Sequence, residues 1–248
     1  MRALKLLCTL AIAVSAAACG ASTPPASSAP KTASPTAAPT PATTPAATAA
    51  PTRSPSVVSS KAHDGLPGIT YTIPTNGWRN SDGVPAKGRE INNVPEAAVL
   101  LWPFKIGEQF YVYGDPCKYV STKPAKPATT VDQIAAALAA QASRNATAPV
   151  DVTIDGYRGK ALTLHVPADA TMTGEDFDGC EGGKFASYGT QEDPLSRYHQ
   201  GPGQIDELWI VDVDGSTVII DAMYRSDTPA DVIEEMQRIA QAATFQAP

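Results

Sequence analysis

Gly20 to Ser60 is built almost entirely of Ala, Pro, Ser and Thr, with no aromatic and no acidic residue and with only Lys31 and Arg53 charged. Such a stretch cannot bury enough apolar surface to offset the entropy lost on ordering it. A folded core must therefore come from the remainder of the 248-residue chain, and residues 63–248 have the size of one domain. Proline every few residues favours extended polyproline II, so about 40 residues at ~3.1 Å each reach up to ~120 Å. Residues 19–62 read as a disordered tether, a spacer between an anchor and a domain.

The anchor is legible at the start. Arg2 and Lys5 precede an apolar run from Leu6 to Val14, far short of the ~20 residues that span a bilayer. With Ala16-Ala17-Ala18 behind it, residues 1–18 form a signal peptide that is removed on export. The same small residues before Cys19 resemble a bacterial lipobox, with one departure: Ala16 stands where Leu is usual. Cysteine arithmetic favours lipidation. Of four cysteines, Cys8 leaves with the signal and Cys117 and Cys180 can pair, which makes Cys19 the odd thiol in an oxidising compartment. A thioether-linked lipid (diacylglycerol, with palmitate among the acyl chains) resolves that. The expectation is a protein held on the outer face of the bacterial cytoplasmic membrane, with plain secretion as the alternative.

Charge excludes some partners. Residues 1–60 hold four basic and no acidic side chains, which leaves 15 basic against 25 acidic beyond them, a formal net of −10. A domain so acidic lacks the basic face nucleic acid requires and does not lie on anionic lipid. The lipid must hold the membrane.

Within the domain, Ile69–Ile73, Ala97–Trp102 and Gln109–Tyr113 read as strands. Thr130-Val131-Asp132-Gln133 has the capping-box form, followed by Val131, Ile134, Leu138 and Ala142 at helical spacing. Two Asp-Gly turns mark hairpins. Around Asp155-Gly156, Val150–Ile154 meets Tyr157–Val166 and sets Asp151 opposite Lys160. The apolar side chains of that second strand change face part-way, which a bulge at Gly159 would repair. Around Asp214-Gly215, Leu208–Val213 meets Ser216–Tyr224, pairing Val211 with Val218 and Trp209 with Ile220. Thr228 is the expected cap of a last helix with Pro229 at its first position, and Val232, Met236, Ile239, Ala240 and Ala243 as its stripe. The fold class is α+β, a single domain with a twisted antiparallel sheet and two helices packed on it.

This order of elements carries a resemblance. Tyr71-Thr72-Ile73-Pro74-Thr75-Asn76-Gly77-Trp78, and the terminal strand, helix and Phe245, resemble the α/β/α sandwich of PsbP, shared by mycobacterial lipoproteins of the LpqN and LpqT type. Asp155-Gly156-Tyr157-Arg158-Gly159-Lys160, Gly201-Pro202-Gly203-Gln204 and Leu208 to Gly215 resemble uncharacterised actinobacterial secreted domains. These are turn and core residues, so the resemblance implies fold and brings no catalytic residue with it. Pro39-Thr40-Pro41 and Thr43-Thr44-Pro45 resemble the O-mannosylated stalks of actinobacterial lipoproteins; an unmodified linker is the other reading.

Chemistry is sparse. Cys117 and Cys180 are expected to form a disulfide; a metal site with His199 would need further ligands at short spacing, and none stand there. No metal and no cofactor is expected. The bridge would pin residues 167–204, a long segment holding Phe177, Phe185, Tyr188, Arg197, Tyr198 and His199. It reads as a surface excursion whose aromatics pack on the sheet, or as a binding loop in which Tyr188, Arg197 and Tyr198 contact a ligand. Asp212 and Asp221 are not a carboxylate pair, because Asp212 falls opposite Thr217. His63 and His165 are scattered. Glu175-Asp176-Phe177-Asp178 is an acidic turn, and Asn145-Ala146-Thr147, a glycosylation sequon, is a loop after the helix. Nucleophile-elbow, zinc-protease and phosphate-loop motifs are missing. The expected role is a non-catalytic domain binding an envelope ligand or protein. The alternatives are an enzyme with its site under the 167–204 loop, and a structural spacer.

Overall fold

A computed structural model describes residues 55–60, 65–88, 95–105 and 109–246. The signal peptide, Cys19, His63 and most of the tether lie outside the described residues. Chain order begins with β1 (Ser56–Ser60), β2 (Gly68–Ile73), β3 (Arg79–Ser81), β4 (Val84–Lys87), β5 (Ala97–Lys105) and β6 (Phe110–Val112). Helix α1 (Val131–Ala139) precedes β7 (Val150–Ile154), β8 (Tyr157–His165), β9 (Met172–Thr173) and β10 (Asp176–Phe177). Then come β11 (Ala186–Thr190), β12 (Arg197–Tyr198), β13 (Gln204–Val213), β14 (Ser216–Arg225), α2 (Ala230–Gln241) and β15 (Thr244–Gln246).

Seven antiparallel strands in the order β3-β4-β5-β14-β13-β8-β7 form the central sheet. Its long hairpin β13–β14 has the register its Asp-Gly turn dictates: Val211 opposite Val218, Trp209 opposite Ile220, Asp212 opposite Thr217. Asp214 and Gly215 both take positive φ, 51° and 86°, as the primed turn between twisted strands demands. Asp155 and Gly156 do the same at 50° and 83°, and Asp151 pairs with Lys160. A third such turn, Asp82-Gly83, joins β3 to β4; its strands are too short to show a period in sequence.

Both faces of this sheet are covered. On one, Trp209, Val211, Val218 and Ile220 pack with Met236 and Ile239 of α2 and with Val58, Ile69, Tyr71 and Ile73 of the three-stranded sheet β1-β2-β15. On the other, Leu208, Ile210, Ile219, Leu162 and Leu164 pack with Ile134 and Leu138 of α1 and with Phe110, Val112 and Tyr188 of the sheet β6-β11-β12. The expected α+β domain holds, but its strands divide among several sheets.

Four expectations are corrected. No bulge interrupts β7–β8, whose five pairs run in register from Val150–Ala161 to Ile154–Tyr157. The change of face in β8 is instead served by two cores, with Tyr157 and Ala161 packed in one and Leu162 and Leu164 in the other. Thr228 does not cap α2: its hydroxyl accepts from the Arg225 N–H and donates to the Glu96 carbonyl, while Pro229 stands at the cap. The tether boundary also moves, since Ser56–Ser60 pairs along β2 and buries Val58. Thr130 does cap α1, accepting from the Gln133 N–H, but Gln133 reaches back to Thr129 rather than to Thr130.

Gly159 is required for close approach. A Cβ there would stand 2.1 Å from the Ile210 carbonyl oxygen of the neighbouring strand. Gly159→Ala is expected to destabilise the domain by about 3 kcal/mol through overpacking. At Gly114 a Cβ meets its nearest neighbour at 3.4 Å, so Gly114→Ala should stay within about 1 kcal/mol of the parent. Urea denaturation measures both; equal midpoints for the two variants would contradict this account.

Candidate functional site

The alternation of β13 puts Gln204 and Asp206 on the same face as Leu208 and Ile210, and that of β14 puts Asp221 with Ile219. Asp206 lies opposite Met223 and Asp221 opposite Leu208, so the two carboxylates are diagonal neighbours on adjacent strands. Both are 1% exposed. Charges so placed need partners, because a buried unpaired carboxylate is severely penalised. The partners come from outside the sheet. Arg197, on β12, gives its Nη2 to Asp206 Oδ1 at 2.6 Å and its Nε to Asp221 Oδ2 at 2.5 Å. Arg144, in the irregular chain after α1, gives Nη2 to Asp206 Oδ2 at 2.6 Å. Its own carbonyl accepts the His165 N–H at the end of β8.

His199 completes the cluster. Arg144 Nη1 lies 2.7 Å and Ser187 Oγ 2.8 Å from its Nε2, and its Nδ1 lies 3.1 Å from Asp206 Oδ2. A guanidinium can only donate, so Nε2 accepts and the proton sits on Nδ1, donated to Asp206. Gln204 Nε2 donates to Asp206 Oδ1 at 2.7 Å. Gln141 donates to the carbonyls of Tyr113 and Ser187, which joins the end of α1 to β11.

Environment sets the protonation states. Burial, with the charge of Arg144 beside it, lowers His199 to about 3, so the ring is neutral. Burial works to raise Asp206, but His199, Arg197 and Arg144 outweigh it and hold Asp206 well below the usual carboxylate range. Asp221 goes the other way. Burial, with the Asp206 charge adding to it, outweighs Arg197 and raises Asp221 to about 7; among the described residues its Oδ1 has no hydrogen-bond partner. Burial lowers Arg144. It also works to lower Arg197, but Asp221 and Asp206 hold that guanidinium above its ordinary value.

Ser187, His199 and Asp206 have the connectivity of a nucleophilic relay, hydroxyl to imidazole to carboxylate. The chemistry does not follow. The single lone pair of Nε2, which would accept the serine proton, is already held by the Arg144 guanidinium, and a base of pKa about 3 is far from the match that general-base catalysis requires. Ser187 is 1% exposed. The arrangement can instead lock the 167–204 segment to the sheet.

Cys117 and Cys180 are joined, with Cα atoms 4.5 Å apart. Next to the bridge, Glu181 accepts from the backbone N–H groups of Val120 and Ser121. Of the residues proposed from sequence to contact a ligand, Tyr188 and Arg197 are inside the domain, at 1% and 2% exposure. Tyr198 is 44% exposed, with Lys184 Nζ 5.7 Å from its ring. Phe177 and Phe185 pack with tilted rings in a small core with Val166 beside the disulfide. Asp176 of the acidic turn pairs with Lys184. Sequence reasoning rejected Asp212 with Asp221 and passed over Asp206, although Asp206 shares the parity of Leu208. Arg144 carried no pattern at all. Among the described residues, no group of three or more His, Cys, Asp or Glu side chains is placed to hold a metal ion, and no helix is long and apolar enough to cross a membrane.

No family model matches the chain, and no curated protein matches it. Among solved structures it is similar to the solution structure of cyanobacterial PsbP (CyanoP) from Synechocystis sp. PCC 6803, at 14% identity and a TM-score of 0.36, over 82% of this chain and 99% of that one. A superposition so loose assigns neither family nor activity.

The cluster has a pH signature. Between about 4 and 6.5 the folded state keeps the proton on Asp221 that the unfolded chain loses, and refuses on His199 the proton that the unfolded chain takes. Asp221 alone makes stability fall as pH rises through that window, and His199 alone makes it rise, so the two oppose each other. Below about 4 Asp206 loses its contribution as pH falls, and the loss from His199, which starts near 6.5, is complete near 3. Asp221→Asn is expected to make the slope of unfolding free energy against pH more positive between pH 4 and 6.5, and His199→Gln to make it more negative. Denaturant titrations across that range measure it; slopes that shift in the same direction would contradict the assignment.

Proposed function

We propose that this chain is a lipid-anchored protein of the bacterial cell envelope, PsbP-like in build, whose domain binds a ligand or partner without catalysis and is held off the membrane by its spacer. The observation that supports it is how the polar groups under the 167–204 loop are used. Arg144, Arg197, His199, Asp206 and Asp221 are each bonded to at least one other of the five and at most 3% exposed. Groups in that position hold a surface in shape. Recognition then falls to the outside of the stapled segment, where Tyr198 stands exposed beside Lys184. The disulfide suits an oxidising, extracytoplasmic compartment. The signal, the Ala-rich site before Cys19 and the acidity of the domain make the lipid the means of holding the membrane.

The enzyme reading rests on one observation, the Ser187–His199–Asp206 connectivity. It differs from the binding reading in whether Ser187 Oγ reacts. An active-site fluorophosphonate is expected to leave the native protein unlabelled, and stoichiometric labelling lost in Ser187→Ala would establish the enzyme instead. For the anchor, Cys19→Ala is expected to move the protein from the membrane to the soluble fraction. Membrane retention equal to that of the parent would overturn lipid anchoring.

A further inference from the structure

The two edges of the central sheet are unlike. At one end, β3 has only three residues, and a short edge strand offers little backbone to pair with. At the other end, β7 runs for five residues without proline, glycine or bulge. The two-residue turn Asp155-Gly156 makes Ile154 and Tyr157 a hydrogen-bonded pair, so Ile154, Val152 and Val150 direct their backbone groups at β8. Asp151 and Thr153 therefore aim their N–H and C=O groups out of the sheet. No turn or loop backbone hydrogen bond among the described residues takes them up. Val150 is 58% exposed on this edge. Arg158, opposite Thr153 in the hairpin, makes no ion pair among the described residues.

We infer that β7 pairs with β7 of a second copy of this chain, antiparallel about a two-fold axis at Val152, to make one continuous sheet. The self-complementarity is specific. Centring on Val152 sets Asp151 opposite Thr153 of the second copy, and both are residues whose backbone groups face outward, so each such pair exchanges two hydrogen bonds. On the α1 face the row then reads Lys160, Asp151, Thr153 of the second copy, Arg158 of the second copy. Asp151 already holds Lys160 at 2.5 Å; across two strand spacings, about 10 Å, Arg158 of the second copy reaches it from the other side. The two-fold repeats this, so each Arg158 gains a carboxylate and no like charges stand opposite. Arg158 lines an open groove of 410 Å³ with Thr130, Asp132 and Asp212, which leaves it room to swing. On the other face Val152 meets its own copy, and the exposed Val150 lies against Ile154 of the second copy.

One strand pair buries little area, so the dimer is a weak one, and its test must trap it. Val152 of the two copies would form a non-hydrogen-bonded pair, with Cα atoms about 4.5 Å apart, a separation that a disulfide spans. The full-length exported protein carrying Val152→Cys is run on a non-reducing gel and its bridges are mapped by mass. The expected result is a dimer linked through the two introduced thiols, one from each copy, with the Cys117–Cys180 bridge intact as the sign of a folded domain. Adding Thr153→Pro removes only an outward N–H and is expected to lower the crosslinked fraction at least tenfold. Asn80→Cys on the opposite edge is expected to give none. A monomeric Val152→Cys protein would overturn the inference, including where the edge takes up an extended peptide of another protein. So would crosslinking that survives Thr153→Pro or is matched by Asn80→Cys.

Discussion

The guanidinium of Arg197, buried between the carboxylates of Asp206 and Asp221, is the contact on which the rest of this domain's geometry turns. A charge removed from water is tolerated only where its partners wait in the right place. Those partners stand diagonally on β13 and β14, so their separation depends on the register of that hairpin. The register is set at its far end by Asp214-Gly215. A slip of one residue would carry Asp206 to the opposite face, among Trp209 and Val211, and leave Arg197 without its bridge. The cluster and the turn thus require the same alignment from opposite ends of the hairpin. Apolar side chains of the same shape often hold such a site about as firmly, whereas removing one ion alone would leave its partner buried and uncompensated.

The segment 167–204 is fixed in two physically different ways. The disulfide acts on the unfolded chain, where closing a loop of 63 residues removes entropy worth about 4 kcal/mol in the chain-entropy model. The ion cluster acts on the folded state, where it selects one arrangement of β12 over the sheet. Between them lies a small apolar core of Phe177, Phe185 and Val166, with Phe185 stacked edge-on against His199. The segment is thus pinned at Cys180, at Phe185 and at Arg197. That fits recognition by pre-organised contacts, with little ordering left for the moment of binding.

What could be read from sequence follows from how local its cause is. The Asp-Gly turns declare a positive-φ pair and with it the register of the strands on each side, so Asp151–Lys160 and Trp209–Ile220 were legible from a few residues. The face change in β8 was legible too, but its reason was not. A single buried face demands a bulge at Gly159, whereas a sheet packed on both sides accepts Ala161 and Leu162 as they stand. Thr228 and Pro229 have the look of a cap and first turn, yet the hydroxyl is drawn to the Glu96 carbonyl, a partner distant in sequence. Ser56–Ser60 has the composition of a spacer and becomes a strand because β2 offers it an edge. Asp206 was within reach, by its parity with Leu208 and Ile210. Arg144 was not: nothing near it in sequence is periodic, and its burial is decided by the strand ends it joins.

The Ser187–His199–Asp206 connectivity shows why an arrangement of residue types is not yet a mechanism. A buried neutral imidazole must satisfy one donor and one acceptor, and a carboxylate behind Nδ1 with a hydroxyl before Nε2 does so in any protein interior. Catalysis asks for more: a lone pair free to take the hydroxyl proton, and a ring able to bear the resulting charge. Here Arg144 occupies the lone pair and repels the charge that would form, while Asp206 is already shared between two guanidinium groups. The same three side chains that could activate a nucleophile are, with an arginine added, a bolt between a loop and a sheet.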